Sequence, residues 1–278
     1  MNPHSGTPRE RAPLDLATVA AIGLLAAIVN VVQHETTHAL ACPLVGGELR
    51  ALSALYVVCE SPDLAAAKVV DGVAPAVDLV LALALWAWLR RGGPRADPAR
   101  LFVYLVMLMS WLAGSGYLMV SGIAGIGDVA TVMTGWSPAW VWRAAAALLG
   151  SALFLGGVWA ALRLLGRTLG GLEGDGPERS RRAQRIGISA YGAALVATLA
   201  AVAVSPLGAN SLPSVAGMAA VVFGYSPLLW MGLWFADGAF PKPVAPTLTI
   251  GRDLRWWVAA GVAFAAFVGL LGPTLTFA

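Results

Sequence analysis

Charge is what this sequence has least of. Of its 278 residues only 12% are Asp, Glu, Lys or Arg, while 58% are hydrophobic and the mean hydropathy is +0.75. A soluble domain carries about 25% charged residues, so this complement cannot cover a water-soluble globule of this size. Disorder is excluded by the same numbers, because disordered chains are polar and highly charged. A nucleic-acid binder is excluded as well, since the formal charge is only +3 and no basic patch or helix stands out. Histidine is scarcer still, at three residues, and two cysteines allow at most one internal disulfide. A signal-peptide pattern is also missing: the first apolar run follows Arg9 and Arg11, but no small-residue cleavage site leads into a soluble domain.

What is present is long apolar sequence. A bilayer core takes about 20 helical residues, and stretches near Leu14–Ala41, Val73–Leu89, Leu101–Val120, Ala139–Leu165, Ile186–Ser205, Pro213–Phe235 and Trp256–Gly272 suit it. The expectation is an all-α polytopic membrane protein of about seven transmembrane helices, six being the alternative count. The sixth stretch contains Gly224-Tyr225-Ser226-Pro227, which predicts a kink or break.

Lys and Arg placement sets orientation. One side would hold Arg9, Arg11, Arg90, Arg91, Arg95, Arg100, Arg163, Arg167, Arg179, Arg181, Arg182, Arg185, Lys242, Arg252 and Arg255, which is 15 of the 18 basic residues. The other side would hold Arg50, Lys68 and Arg143. This places the N-terminus in the cytoplasm and segments 42–72, 121–138 and 206–212 outside. The expected organisation is a disordered cytoplasmic tail over 1–13, a four-helix catalytic membrane core over 14–165, a cytoplasmic linker over 166–185 and a three-helix membrane region over 186–278. Sixteen Arg against two Lys, with abundant Ala and Gly, suits a GC-rich bacterial coding sequence. The expected location is therefore the bacterial plasma membrane.

The first span ends His34-Glu35-Thr36-Thr37-His38. On a helix, positions i and i+4 share a face, so His34 and His38 can aim imidazole nitrogens at one metal. Glu35 then lies beside it, where a carboxylate can take a proton from water. Ionisable groups inside a span are costly and point to function; the bland alternative is a polar helix end reaching the outer headgroups. His34 lies about 27 Å along the helix from Leu16, at 1.5 Å per residue, which puts the pattern near the outer boundary. His4 belongs to the tail and reads as solvated.

Zinc held by two histidines needs a third protein ligand and an open position. Asp128, after the glycine-rich Ser121-Gly122-Ile123-Ala124-Gly125-Ile126-Gly127, is the only acid on its outer segment and the leading candidate; as an N-cap it would have a structural role instead. Asp78, about one turn past Pro75, is the rival third ligand, and otherwise a substrate-binding or supporting group. Asn30, one turn before His34, can orient a ligand or bind substrate backbone, or simply bond between helices. Glu48, Glu60, Asp63 and Asp71 read as solvated loop residues. Between the first two spans, residues 46–59 alternate enough to form a short β-hairpin, whose edge could hold an extended peptide. Cys42 and Cys59 flank it, either bridged or as two free thiols.

With these residues in place, the chain resembles the site-2-protease type of intramembrane zinc metalloprotease over about residues 14–140. The resemblance rests on His34-Glu35-Thr36-Thr37-His38, the hairpin, Ala74-Pro75-Ala76-Val77-Asp78 and Asp128. It implies zinc ligation by His34, His38 and Asp128, with Glu35 as the base. The family usually has Gly-Pro-x-x-Asn in its second core helix, where this chain has Ala74 and Asp78, and Asp-Gly where this chain has Asp128-Val129.

The expected activity is zinc-dependent endopeptidase cleavage of membrane-spanning or membrane-adjacent protein substrates. Its partners are such a substrate and the lipid bilayer, with no nucleic acid. The alternatives are a membrane-embedded zinc hydrolase of a lipid or small amphiphile, and a non-enzymatic protease-like scaffold or transporter subunit. Composition and motifs leave the oligomeric state open.

Overall fold

The computed structural model describes residues 13–167, 176–235 and 248–277. Most of the expected 1–13 tail, the centre of the 166–185 linker and Lys242 lie outside the described residues. The long helices are α1 (Leu16–Leu44), α2 (Leu64–Arg90), α3 (Asp97–Ala124), α5 (Ala139–Arg167) and α6 (Gly176–Val204), with a short α4 (Asp128–Met133) between α3 and α5. The sixth apolar stretch is divided into α7 (Leu212–Ala219), a π-helical turn over Ala220–Gly224 and α8 (Pro227–Trp230), as its Gly-Tyr-Ser-Pro signal predicts. The last span is α9 (Leu254–Ala266), continued by a π-helical turn over Phe267–Leu271. Seven helices among the described residues are long and apolar enough to cross a membrane, counting Leu212–Trp230 as one.

Two boundaries differ from the apolar runs. Helix α2 begins at Leu64 rather than Val73, because the Asp63 carboxylate accepts the Ala66 N–H at 2.8 Å and starts a helix that carries Lys68 and Asp71 in its early turns. Asp71 is therefore a half-buried helix residue and not solvated loop, while Asp63 remains exposed as the N-cap. Helix α6 begins at Gly176, so the arginine-rich Glu178–Arg185 segment extends the fifth span rather than linking to it.

The hairpin forms as expected, from β1 (Glu48–Leu52) and β2 (Val57–Glu60), with a bulge between Leu49 and Ala51. A third strand, β3 (Leu275–Thr276), pairs antiparallel with β1, giving the order β2-β1-β3. Cys42 and Cys59 are joined in a disulfide, which ties the last turn of α1 to β2.

Helix α1 is central: α2, α3, α6 and α9 all pack on it. Helix α3 fits between α2 and α5 because Gly114 and Gly122 remove side chains where the backbones meet. A Cβ at Gly114 would lie 2.6 Å from the Pro75 carbonyl oxygen, and one at Gly122 would lie 2.4 Å from Ala147 N. Small residues at such crossings are how apolar helices associate closely in lipid.

Helices α1 and α9 start side by side. Leu14 and Ile250 form a parallel bridge, Asp15 N–H donates to Ile250 O at 2.7 Å, and Ile250 N–H donates to Pro13 O at 2.9 Å. First and seventh spans starting from the same face is the parity that seven crossings require. Tryptophans sit towards both ends: Trp136 and Trp142 meet edge to face near the start of α5, while Trp86, Trp159 and Trp257 lie against Arg90, Arg163 and Arg252 towards the other end. Paired aromatic girdles of this kind mark the two interfaces of a bilayer.

Candidate metal centre

His34, Glu35 and His38 are all buried, at 5%, 8% and 6% exposure, although they lie on one of the most apolar helices of the chain. Their polarity is balanced by groups from three other elements. His38 Nδ1 donates to the Val70 carbonyl of α2 at 2.6 Å. That carbonyl adjoins a turn loosened by Pro75, which has no N–H to return to Asp71 O. His34 Nδ1 donates to Asp78 Oδ2, also on α2, at 2.7 Å. Asp78 is fully buried, and the close α2–α3 approach at Gly114 encloses it.

These two bonds fix the tautomers. The Val70 carbonyl can only accept, so the His38 proton sits on Nδ1, and the Asp78 carboxylate imposes the same on His34. Both Nε2 lone pairs then face the same small space. They lie 3.3 Å apart, and Asp128 Oδ2 completes the triangle at 3.2 Å from His34 Nε2 and 3.3 Å from His38 Nε2.

Asp128 reaches this point through a glycine turn. Helix α3 ends where Gly125 adopts φ 71°, and Gly127 adopts φ 86° before α4. Side chains other than glycine rarely adopt these angles. Arg143 of α5 holds the end of α3 by donating to the Gly122 and Ile123 carbonyls at 3.2 and 2.8 Å. Asp128 is the first residue of α4, yet its carboxylate makes no capping bond and faces the histidines instead.

The donor set fits a metal on physical grounds. Three acceptors converging at this spacing repel one another unless positive charge lies among them. Ligands about 2.0–2.1 Å from a tetrahedral ion are separated by about 3.3–3.4 Å, and the three edges here are 3.2, 3.3 and 3.3 Å. Two imidazoles and one carboxylate are a zinc-type set that leaves the fourth position open.

The expected residues thus divide by position. His34, His38 and Asp128 converge, and among the described residues they are the group of His, Cys, Asp or Glu placed to hold a metal. Asp78, the rival third ligand, is on the opposite edge of the His34 ring, where it orients the imidazole rather than joining the convergence point. Asp78 is fully buried. Asn30 is engaged in helix packing: its Nδ2 donates to Ser110 Oγ at 3.0 Å, and its Oδ1 accepts from Tyr225 at 2.6 Å. The ordinary interhelix reading holds for Asn30, and the substrate-contact expectation gives way to it. Glu35 has no hydrogen-bond partner among the described residues, and its charge interacts with His34, His38, Asp128 and Asp78.

Sequence reasoning missed Tyr117. Its ring stacks on His34 with centroids 4.7 Å apart and planes 11° from parallel. An aromatic residue in an apolar span is ordinary, and the nearest charged residue in the sequence, Asp128, is 11 positions away from Tyr117.

No family model matches this chain, and neither a curated protein nor a solved structure gives a match.

Proposed function

We propose that this protein is a zinc-dependent intramembrane endopeptidase of the site-2-protease type, cleaving membrane-spanning or membrane-adjacent proteins. The observation that carries the reading is the convergence of His34 Nε2, His38 Nε2 and Asp128 Oδ2 with both Nδ1 protons pinned on the far side. Asp78 and the Val70 carbonyl supply the outer support that metal-ligating histidines ordinarily have.

Zinc bound there would polarise a scissile carbonyl and lower the pKa of a water molecule. Glu35, adjacent to His34 and free of other hydrogen bonds, takes the attacking water's proton and passes it to the leaving amine. The histidines are buried while the Asp128 side chain is 23% exposed, which leaves water a route to the site, and the surrounding spans limit access to apolar or membrane-adjacent chains.

Two observations support a site opening to the extracytoplasmic face, with the N-terminus inside. The basic residues divide 15 to 3 in favour of the opposite side. The Cys42–Cys59 disulfide, one turn beyond His38, belongs to an oxidising compartment.

The test is metal analysis and cleavage by the purified full chain in detergent, using a fluorescently labelled apolar transmembrane peptide. Glu35→Gln should retain stoichiometric zinc while cleavage falls roughly 10²–10⁴-fold. Wild-type cleavage by that variant, or a protein that binds no zinc, would end the proposal. Release of a lipid product without peptide cleavage would transfer the site to a lipid hydrolase.

A further inference from the structure

The chain has five tyrosines, and four of them use their hydroxyls. Tyr104 donates to Ala161 O at 3.3 Å, Tyr191 to Val222 O at 3.3 Å and Tyr225 to Asn30 Oδ1 at 2.6 Å, while Tyr56 pairs with Thr274 at 2.9 Å. The Tyr117 hydroxyl has no partner among the described residues. Tyrosine hydroxyls in apolar surroundings normally find one. This one lies within electrostatic reach of Asp128, Glu35 and Asp78.

The ring is held from two sides. One face stacks on His34, and its Cδ1 edge runs along the backbone turn that delivers Asp128, where a Cβ at Gly127 would be 3.6 Å away. The ring is thus fixed against His34 and against the turn that carries Asp128, two of the three groups of the convergence point.

Other side-chain donors nearby are already engaged. Asn30 Nδ2 bonds Ser110, Ser115 Oγ donates to Trp111 O, and Arg143 holds the α3 terminus. Ser121 Oγ also lacks a partner, but Ser121 is fully buried and out of reach of a substrate.

We propose that Tyr117 is the oxyanion donor of this site: its hydroxyl hydrogen-bonds the scissile carbonyl oxygen as that oxygen becomes negative. The inference rests on the endopeptidase reading. In the step concerned, water oxygen bonds the carbonyl carbon, the C=O π pair moves onto oxygen, and the water proton goes to Glu35. Collapse returns the pair to C=O, breaks the C–N bond and delivers the Glu35 proton to the amine. Tyr117 donates a hydrogen bond throughout and keeps its proton. A donor aimed at developing charge in a dry site typically contributes about 10²–10³-fold in kcat.

Tyr117→Phe keeps the stack and removes only the hydroxyl. In the zinc-loaded full chain, kcat for the labelled transmembrane peptide should fall about 10²-fold or more, with KM and zinc content unchanged. A peptide phosphonamidate, whose tetrahedral oxygen imitates the oxyanion, should bind this variant about 10²-fold more weakly. The uncleaved peptide should bind Glu35→Gln and the Glu35→Gln, Tyr117→Phe double variant equally well. Unchanged kcat, or equal weakening of peptide and phosphonamidate, would overturn the inference while leaving the endopeptidase reading intact. A wild-type chain that neither binds zinc nor cleaves would overturn that reading instead.

Discussion

Helices α3 and α9 are almost equally apolar, yet most of α3 is buried within the protein and very little of α9 is. Hydropathy does not separate them. Buried serines do: α3 carries Ser110, Ser115 and Ser121 beside Gly114 and Gly122 at its buried positions, whereas α9, although rich in Ala, has no Ser, Thr, Asn or Gln. In lipid, apolar side chains gain little by meeting one another, so close packing follows small residues and hydrogen bonds. The same contrast separates the site from the sixth span. Around His34 the helices are continuous and their polar groups bond between helices. Over Leu212–Trp230 the backbone itself is interrupted, and Ser211, Ser214 and Ser226 bond locally.

The comparison can be broken most sharply at Asp78. Asp78→Ala removes the acceptor that orients His34, and zinc affinity should fall about 10–100-fold in chelator competition; wild-type affinity would show that the imidazole is oriented without it. Next is Gly114→Ala, whose Cβ would meet the Pro75 carbonyl at 2.6 Å. Overpacking there should cost about 1–3 kcal/mol in detergent unfolding. The link between the two regions is tested by Tyr225→Phe, which breaks the bond to Asn30. A loss of about 0.5–1.5 kcal/mol is expected, with zinc content unaltered. Smallest is Gly261→Ala in α9, where a new Cβ meets nothing within 4 Å. It should leave stability unchanged or raise it by about 0.5–1 kcal/mol, as helix propensity dictates. Equal effects at Gly114 and Gly261 would remove the distinction between enclosed and lipid-facing spans.

Much of this was legible in the residues. The apolar runs located every span, the His34–His38 spacing located two histidines on one helix face, and the glycines before Asp128 foretold a tight turn. The start of α2 was hidden because Lys68 and Asp71 interrupt the apolar run while still lying on a capped helix. Strand β3 was hidden because two ordinary residues owe their conformation to β1 and not to local pattern. The division of labour between Asp78 and Asp128 depends on which edge of one imidazole each reaches, a three-dimensional fact with no counterpart in spacing. The bridging of Cys42 and Cys59 follows from α1 extending to Leu44 and bringing β2 alongside.

The start of α1 is knotted to that of α9. Thr18 Oγ1 donates to Asp15 at 2.7 Å, and also accepts from the Asp253 N–H at 3.2 Å and Trp257 Nε1 at 3.0 Å. Such a knot sets vertical register. When bilayer thickness changes, single helices respond by tilting or sliding, but α1 cannot slide without taking α9 with it. The depth of His34 is therefore measured from a fixed anchor at the opposite end of α1, and the protein carries its own ruler for where its polar cluster sits.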